Sequence, residues 1–159
     1  MTAADEFVAR YGGIYEHSAW VAEAVADDAA GQDLAQIATL MAECVDNASA
    51  ERQLKLIRAH PDLAGKAQIA GELTADSTDE QASAGLDQCS AEEYAEFQSL
   101  NDRYKEKFGF PFVMAVRGSS RADILAAFQA RLDNDQQTEF ETALQEIHKI
   151  ARLRLEAMQ

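Results

Sequence analysis

Proline, glycine and cysteine are scarce in this 159-residue chain: two prolines, eight glycines and two cysteines. So few breakers leave long uninterrupted stretches, which suit helices better than a loop-rich fold. Cys44 and Cys89 lie far apart without CxxC spacing. Cys44 falls on an apolar helical stripe, where a packed, reduced thiol is expected. No apolar run approaches the length that spans a bilayer. The start, MTAADEFVAR, has no basic segment leading into an apolar one, and the end, EAMQ, is not a peroxisomal tripeptide. A soluble, cytoplasmic protein is the expectation. Basic charge is also short, with a formal net charge of −14. That weighs against nucleic acid and anionic membrane surfaces as partners. It does not exclude an anionic substrate, because one buried arginine can set a local field of the opposite sign. With no linker, repeat or low-complexity tract, one domain over residues 1–159 is expected.

What the chain does have is helix formers: Ala, Leu, Glu, Gln and Arg dominate, and an all-α fold follows. The first helix begins near Asp5 and breaks at Gly12-Gly13. A second runs through HSAWVAEAVADDA, with Trp20, Val21, Ala24 and Val25 on one face. A third, about Asp33 to Ala48, places Leu34, Ile37, Met41, Cys44 and Val45 at helical spacing. The fourth, Ala50 to Ala59, stops before Pro61, because a residue preceding proline is pushed out of the α region. Residues 62–76 read as irregular. Ser77-Thr78-Asp79-Glu80 resembles a capping box opening a short helix through Ala84, ended by Gly85, and Ser90 to Glu93 a second box. Tyr94, Phe97, Leu100, Tyr104 and Phe108 then form an amphipathic stripe. FGFPFVMAVRG, with Pro111 inside it, reads as extended or irregular. Helices return at about Arg121 to Leu132 and Gln136 to Met158.

Three polar residues sit badly with these patterns. His60 follows a helix end, where the dipole favours the imidazolium while burial opposes it, so its pKa can rest near neutrality. Such a histidine also serves simply to bond the last helix carbonyls. Glu80 stands where a capping box uses a glutamate, yet a carboxylate beside an imidazole would fix its tautomer. Arg154 lies seven residues after Ile147 and four after Ile150, on or beside the apolar stripe of the last helix, whereas Arg152 faces the polar side. An arginine turned inwards needs an anion or several acceptors. An internal ion pair, a snorkelling side chain and a clamp for a planar or carboxylated ligand all satisfy that need.

YEHSAW, LIRAHPDLAGKAQIAGELTADSTDEQASAGLD, LNDRYKEKFGFPFVMAVRG, RLDND and EIHKIARLRL occur in this order. The chain closely resembles the 2-oxo-4-hydroxy-4-carboxy-5-ureidoimidazoline (OHCU) decarboxylases of urate degradation over nearly its full length. Ala19 stands where that family often has proline in EHSPW, which affects a turn only. The resemblance implies an all-helical fold of that family's type, commonly a homodimer. It implies conversion of the ureidoimidazoline acid into (S)-allantoin and carbon dioxide without metal or organic cofactor. His60 matches the family's catalytic histidine, Glu80 its carboxylate partner and Arg154 the substrate-holding arginine. Pro61, Ser77, Gln81 and the backbone of Phe112, Val113, Met114, Ala115 and Val116 match its pocket. Two other readings compete: a non-catalytic helical ligand-binding module, and a relative acting on a different ureido or imidazoline acid. A metal hydrolase is weaker, since His17, His60 and His148 are scattered.

Overall fold

Helix-forming sequence becomes helix along most of the chain. The computed structural model describes residues 2–65 and 71–159. Among them are eight α-helices, one 3-10 turn and no strand. Two compact units result: Met1–Ala59 with Ile147–Gln159, and His60–Glu146.

In the first unit, α1 (Ala3–Tyr11) opens on a capping box made by Thr2 and Asp5, two residues earlier than expected, and stops at Gly12. α2 (Trp20–Ala29) packs between α1 and α3. It buries Val21, Ala22, Val25, Ala26 and Ala29, while Ala24 is exposed and Trp20 half-buried. The buried face is therefore turned from the one expected: small alanines let neighbouring helices approach closely, and the bulky indole stays at the edge. α3 (Leu34–Asp46), capped by Asp33, buries Ile37, Met41 and Val45. α4 (Ala50–Arg58), capped by Ser49, buries Leu56 and Ile57 and ends as Pro61 requires. The C-terminal part of α8 (Gln136–Ala157) completes this unit with Ile147, Ile150, Ala151 and Leu155 buried.

The second unit holds α5 (Ala75–Ser83), the 3-10 turn Leu86–Gln88, α6 (Ala91–Phe108), α7 (Arg121–Arg131) and the start of α8. Here the expected capping box at Ser77 is corrected. Helix α5 starts three residues earlier, and Thr74 is its N-cap, accepting the Ser77 amide at 3.2 Å. Ser77 and Gln81 are buried, so their side chains serve the interior and not the helix start. Gly85 follows α5 with φ +76; a Cβ there would lie 2.8 Å from Arg121 Nη1, whose guanidinium donates to the Gly85 carbonyl. Only glycine satisfies both demands. The Ser90–Glu93 box opens α6 as expected, and its stripe buries Phe97, Leu100, Tyr104 and Phe108. Residues 111–116 are irregular, as Pro111 implied. The irregular stretch expected over 62–76 lies partly outside the described residues, as does Lys66.

Candidate active site

His60 is buried and comes immediately after Ala59, the C-cap of α4, whose amide donates to the Lys55 and Leu56 carbonyls. Proline at 61 prevents another helical turn. The chain then makes a tight loop, Asp62–Ala64, in which Ala64 takes φ +52. A left-handed alanine costs about 1–2 kcal/mol and persists only where its surroundings dictate it. Side chains from α5 and α6 do so. Gln81 Nε2 donates to the Asp62 carbonyl at 3.2 Å, and its Oε1 accepts the Ala64 amide at 3.0 Å. Asn101 donates to the Leu63 carbonyl, Gln98 to the Ala64 carbonyl, and Lys105 pairs with Asp62 at 2.7 Å. The loop after His60 is thus built by hydrogen bonds.

Ser77, Glu80 and Gln81 lie at i, i+3 and i+4 on α5 and share one face. Gln81 joins that face to the segment beginning two residues after His60. Both ends of its amide are engaged with this loop, so in the structure it is first a positioning residue. Glu80 is half-buried.

Phe112, Val113 and Val116 are buried, with Met114 and Ala115 half-buried. Phe112 stacks on Phe128 with centroids 3.9 Å apart and planes 9° apart. Two backbone groups of this segment already have partners: the Val113 carbonyl accepts Arg131 Nη1 at 2.7 Å, and the Ala115 amide donates to Glu146 at 3.1 Å. Behind it sits a buried charge cluster absent from the sequence reading. Glu139, fully buried, accepts from Tyr104 Oη at 2.6 Å, Arg131 Nε at 2.8 Å and Asn134 Nδ2 at 2.9 Å. Arg131 also lies over the Phe112 ring, 4.3 Å from its centroid. A signal was present: Glu139 is four residues before Ala143 and eight before Ile147, on the apolar stripe of α8.

In the first unit Arg154 is buried, as the helical register implied. Its Nη2 donates to Glu16 Oε2 at 3.3 Å, and its Nη1 to the carbonyls of Gly13 and Ile14 at 3.4 and 3.3 Å. Glu16 is equally buried, so this is an internal ion pair. The same unit contains a cleft of about 720 Å³ lined by Trp20, Arg52, Lys55 and Arg58, with Glu51 as its acid; Arg52 lies 4.8 Å over the indole. Its local sign opposes the chain's net charge, which favours approach of small anions.

The structure thus buries His60 just beyond a helix end, on a segment that Gln81 joins to α5. Comparison with known proteins makes the class specific. The family described as OHCU decarboxylase matches residues 1–156. A 2-oxo-4-hydroxy-4-carboxy-5-ureidoimidazoline decarboxylase of Haloferax volcanii is 48% identical, the match covering 95% of this chain and 88% of that one. A uric acid degradation bifunctional protein of Bacillus sp. (strain TB-90) is 43% identical over 97% of this chain and 30% of its own length. A crystal structure of (S)-allantoin synthase superposes with a TM-score of 0.76 at 35% identity, over 97% of this chain and 50% of that chain. The chain belongs to the OHCU decarboxylase family, and so to a family of carboxy-lyases.

Proposed function

We propose that this protein converts 2-oxo-4-hydroxy-4-carboxy-5-ureidoimidazoline into (S)-allantoin and carbon dioxide, the last step from urate to allantoin. Family membership over residues 1–156 and relatives named for this reaction and for uric acid degradation support the reading. The observation that carries it at residue level is the burial of His60 directly beyond α4, on a chain segment fixed by Gln81.

The substrate supplies its own electron sink. Its carboxylate sits on the ring carbon that also bears the hydroxyl, next to a C=N bond. Breaking the bond to the carboxyl carbon releases carbon dioxide, and the electron pair forms a C=C bond while the imine nitrogen takes up a proton. The resulting enol loses its hydroxyl proton to give the ring carbonyl, and the neighbouring carbon gains one on a single face. No cofactor is needed for this electron flow. The protein has to position the ring, move protons and impose the face. His60 acts as general acid/base on the ring hydroxyl or the protonated carbon. Glu80 orients His60, and Arg154 holds the ureido and ring carbonyl groups. Pro61, Ser77, Gln81 and the 112–116 backbone shape the pocket.

His60→Asn should keep the fold and lose enzymatic acceleration. Freshly generated substrate is followed by circular dichroism, because it decays spontaneously to racemic allantoin and only the enzyme gives an excess of one enantiomer. An unchanged rate and enantiomeric excess in the folded variant would sink the role of His60. We further read residues 1–159 as one domain of a cytoplasmic homodimer. Light scattering should give twice the 17.4 kDa chain mass, and a value near 17.4 kDa would overturn the dimer.

A further inference from the structure

The YEHSAW and EIHKIARLRL segments contain Tyr15, Glu16 and His148, to which the reaction assigns no task. In the first unit they form one assembly. Tyr15 Oη lies 2.8 Å from His148 Nδ1, and His148 Nε2 lies 2.9 Å from Asp46 Oδ1. The rings meet edge to face at 5.9 Å. An ionised carboxylate only accepts, so Nε2 carries a proton. In the neutral imidazole Nδ1 then presents its lone pair, and the Tyr15 hydroxyl donates to it. Asp46 is exposed and His148 partly so, but Tyr15 is only 3% exposed, so the phenol–imidazole bond is the strong link.

The residues flanking Tyr15 hold Arg154. Ile14 offers its carbonyl and Glu16 its carboxylate, at 3.3 Å each. These distances are long for charge-assisted bonds, which close to about 2.7–2.9 Å. Residues 13, 14 and 16 thus supply three acceptors to the guanidinium, which ties its place to where that segment lies. The Tyr15–His148 bond ties that segment to α8 six residues before Arg154, so one helix holds the segment at two points.

We propose that Asp46, His148 and Tyr15 form a relay that positions Ile14 and Glu16 around Arg154, which makes Tyr15 a positioning residue for substrate binding. The inference rests on the reading of Arg154 as substrate-holding. Tyr15→Phe removes one hydroxyl and keeps the ring. It should raise KM about threefold to tenfold, the worth of one hydrogen bond, with kcat within about twofold. In an Arg154→Lys background, which keeps a cation but loses the fork, the same change should add less than about twofold. Where Arg154→Lys itself raises KM, a native KM in folded Tyr15→Phe, or an equal rise in both backgrounds, would overturn the relay. A readout without substrate separates this from failure of the Arg154 role. Carbon- and nitrogen-detected NMR of the Arg154 guanidinium should show faster rotation about Nε–Cζ in Tyr15→Phe. Unchanged rotation overturns the relay, whereas faster rotation with a native KM in Arg154→Lys upholds the positioning and refutes the substrate-holding reading.

Discussion

Replacing Arg154 by methionine separates its ion pair with Glu16 from the substrate-holding role proposed for it. In the structure its side chain is 4% exposed and that of Glu16 2%. Removing the cation leaves a buried carboxylate without its charge partner and takes donors from two backbone carbonyls. Breaking a buried pair on one side costs about 3–5 kcal/mol. For a chain of this length that lowers Tm by roughly 6–20 °C. Arg154→Met with Glu16→Leu removes both charges, and replacing a buried pair by apolar groups is often neutral. The exposed Gly13 carbonyl turns to water, and the buried Ile14 carbonyl keeps a residual cost of about 1–2 kcal/mol. The double variant should therefore recover most of the lost Tm. Its kinetics decide the function of the arginine. Loss of charged hydrogen bonds to substrate is worth about 2–3 kcal/mol, a fall in kcat/KM of roughly 30- to 150-fold. Thermal unfolding and chiral allantoin formation from fresh substrate are the two assays. A recovered double variant with native kcat/KM would mean that Arg154 is an internal ion pair only. A single variant with unchanged Tm would refute the burial argument itself.

The tyrosines make alkaline stability a second test. Burial first, then the hydrogen bond to Glu139 for Tyr104 and the charge of Asp46 for Tyr15, push both phenols well above their ordinary value near 10. The unfolded chain ionises them at about pH 10 and the folded chain does not, so the folded state holds more protons and stability falls as pH rises. Each should contribute a loss of about 1 kcal/mol between pH 10 and 11, read from urea unfolding. Tyr15→Phe with Tyr104→Phe should flatten that slope, and an unchanged slope would refute the assignment. Glu139→Gln keeps shape but leaves Arg131 without its anion, for a loss of about 3 kcal/mol, moderated by the Val113 carbonyl and the Phe112 ring that still hold it. Arg131→Met added to it should restore part of that stability, and a single-variant loss below about 1 kcal/mol would show that the pair does not hold the segment.

Helix positions and the burial of Arg154 could be read from the sequence because both follow from period 3.6, a local property. The start of α5 could not. Thr74 and Ser77 are both competent caps, and the choice between them was made by the burial of Ser77 and Gln81, three and seven residues on. The candidate site divides in the same way. His60 was marked by the proline that follows it. The hydrogen bonds that shape its loop come from Gln81, Asn101 and Gln98, 17 to 38 residues away. No periodicity encodes such pairings, since each depends on which helices pack and at what register. Glu139 and Arg154 sharpen the point. Both are charges on the buried stripe of one helix, and the same pattern argument finds both. What the pattern leaves open is which group answers each charge: Arg131 from α7 in one case, Glu16 in the turn after α1 in the other. Those answers decide how each charge is used. Glu139 is saturated by three donors and fits a fixed structural role. Arg154 is answered by the Glu16 carboxylate and the Gly13 and Ile14 carbonyls, and the paired Arg154→Met and Glu16→Leu variants test what else it does.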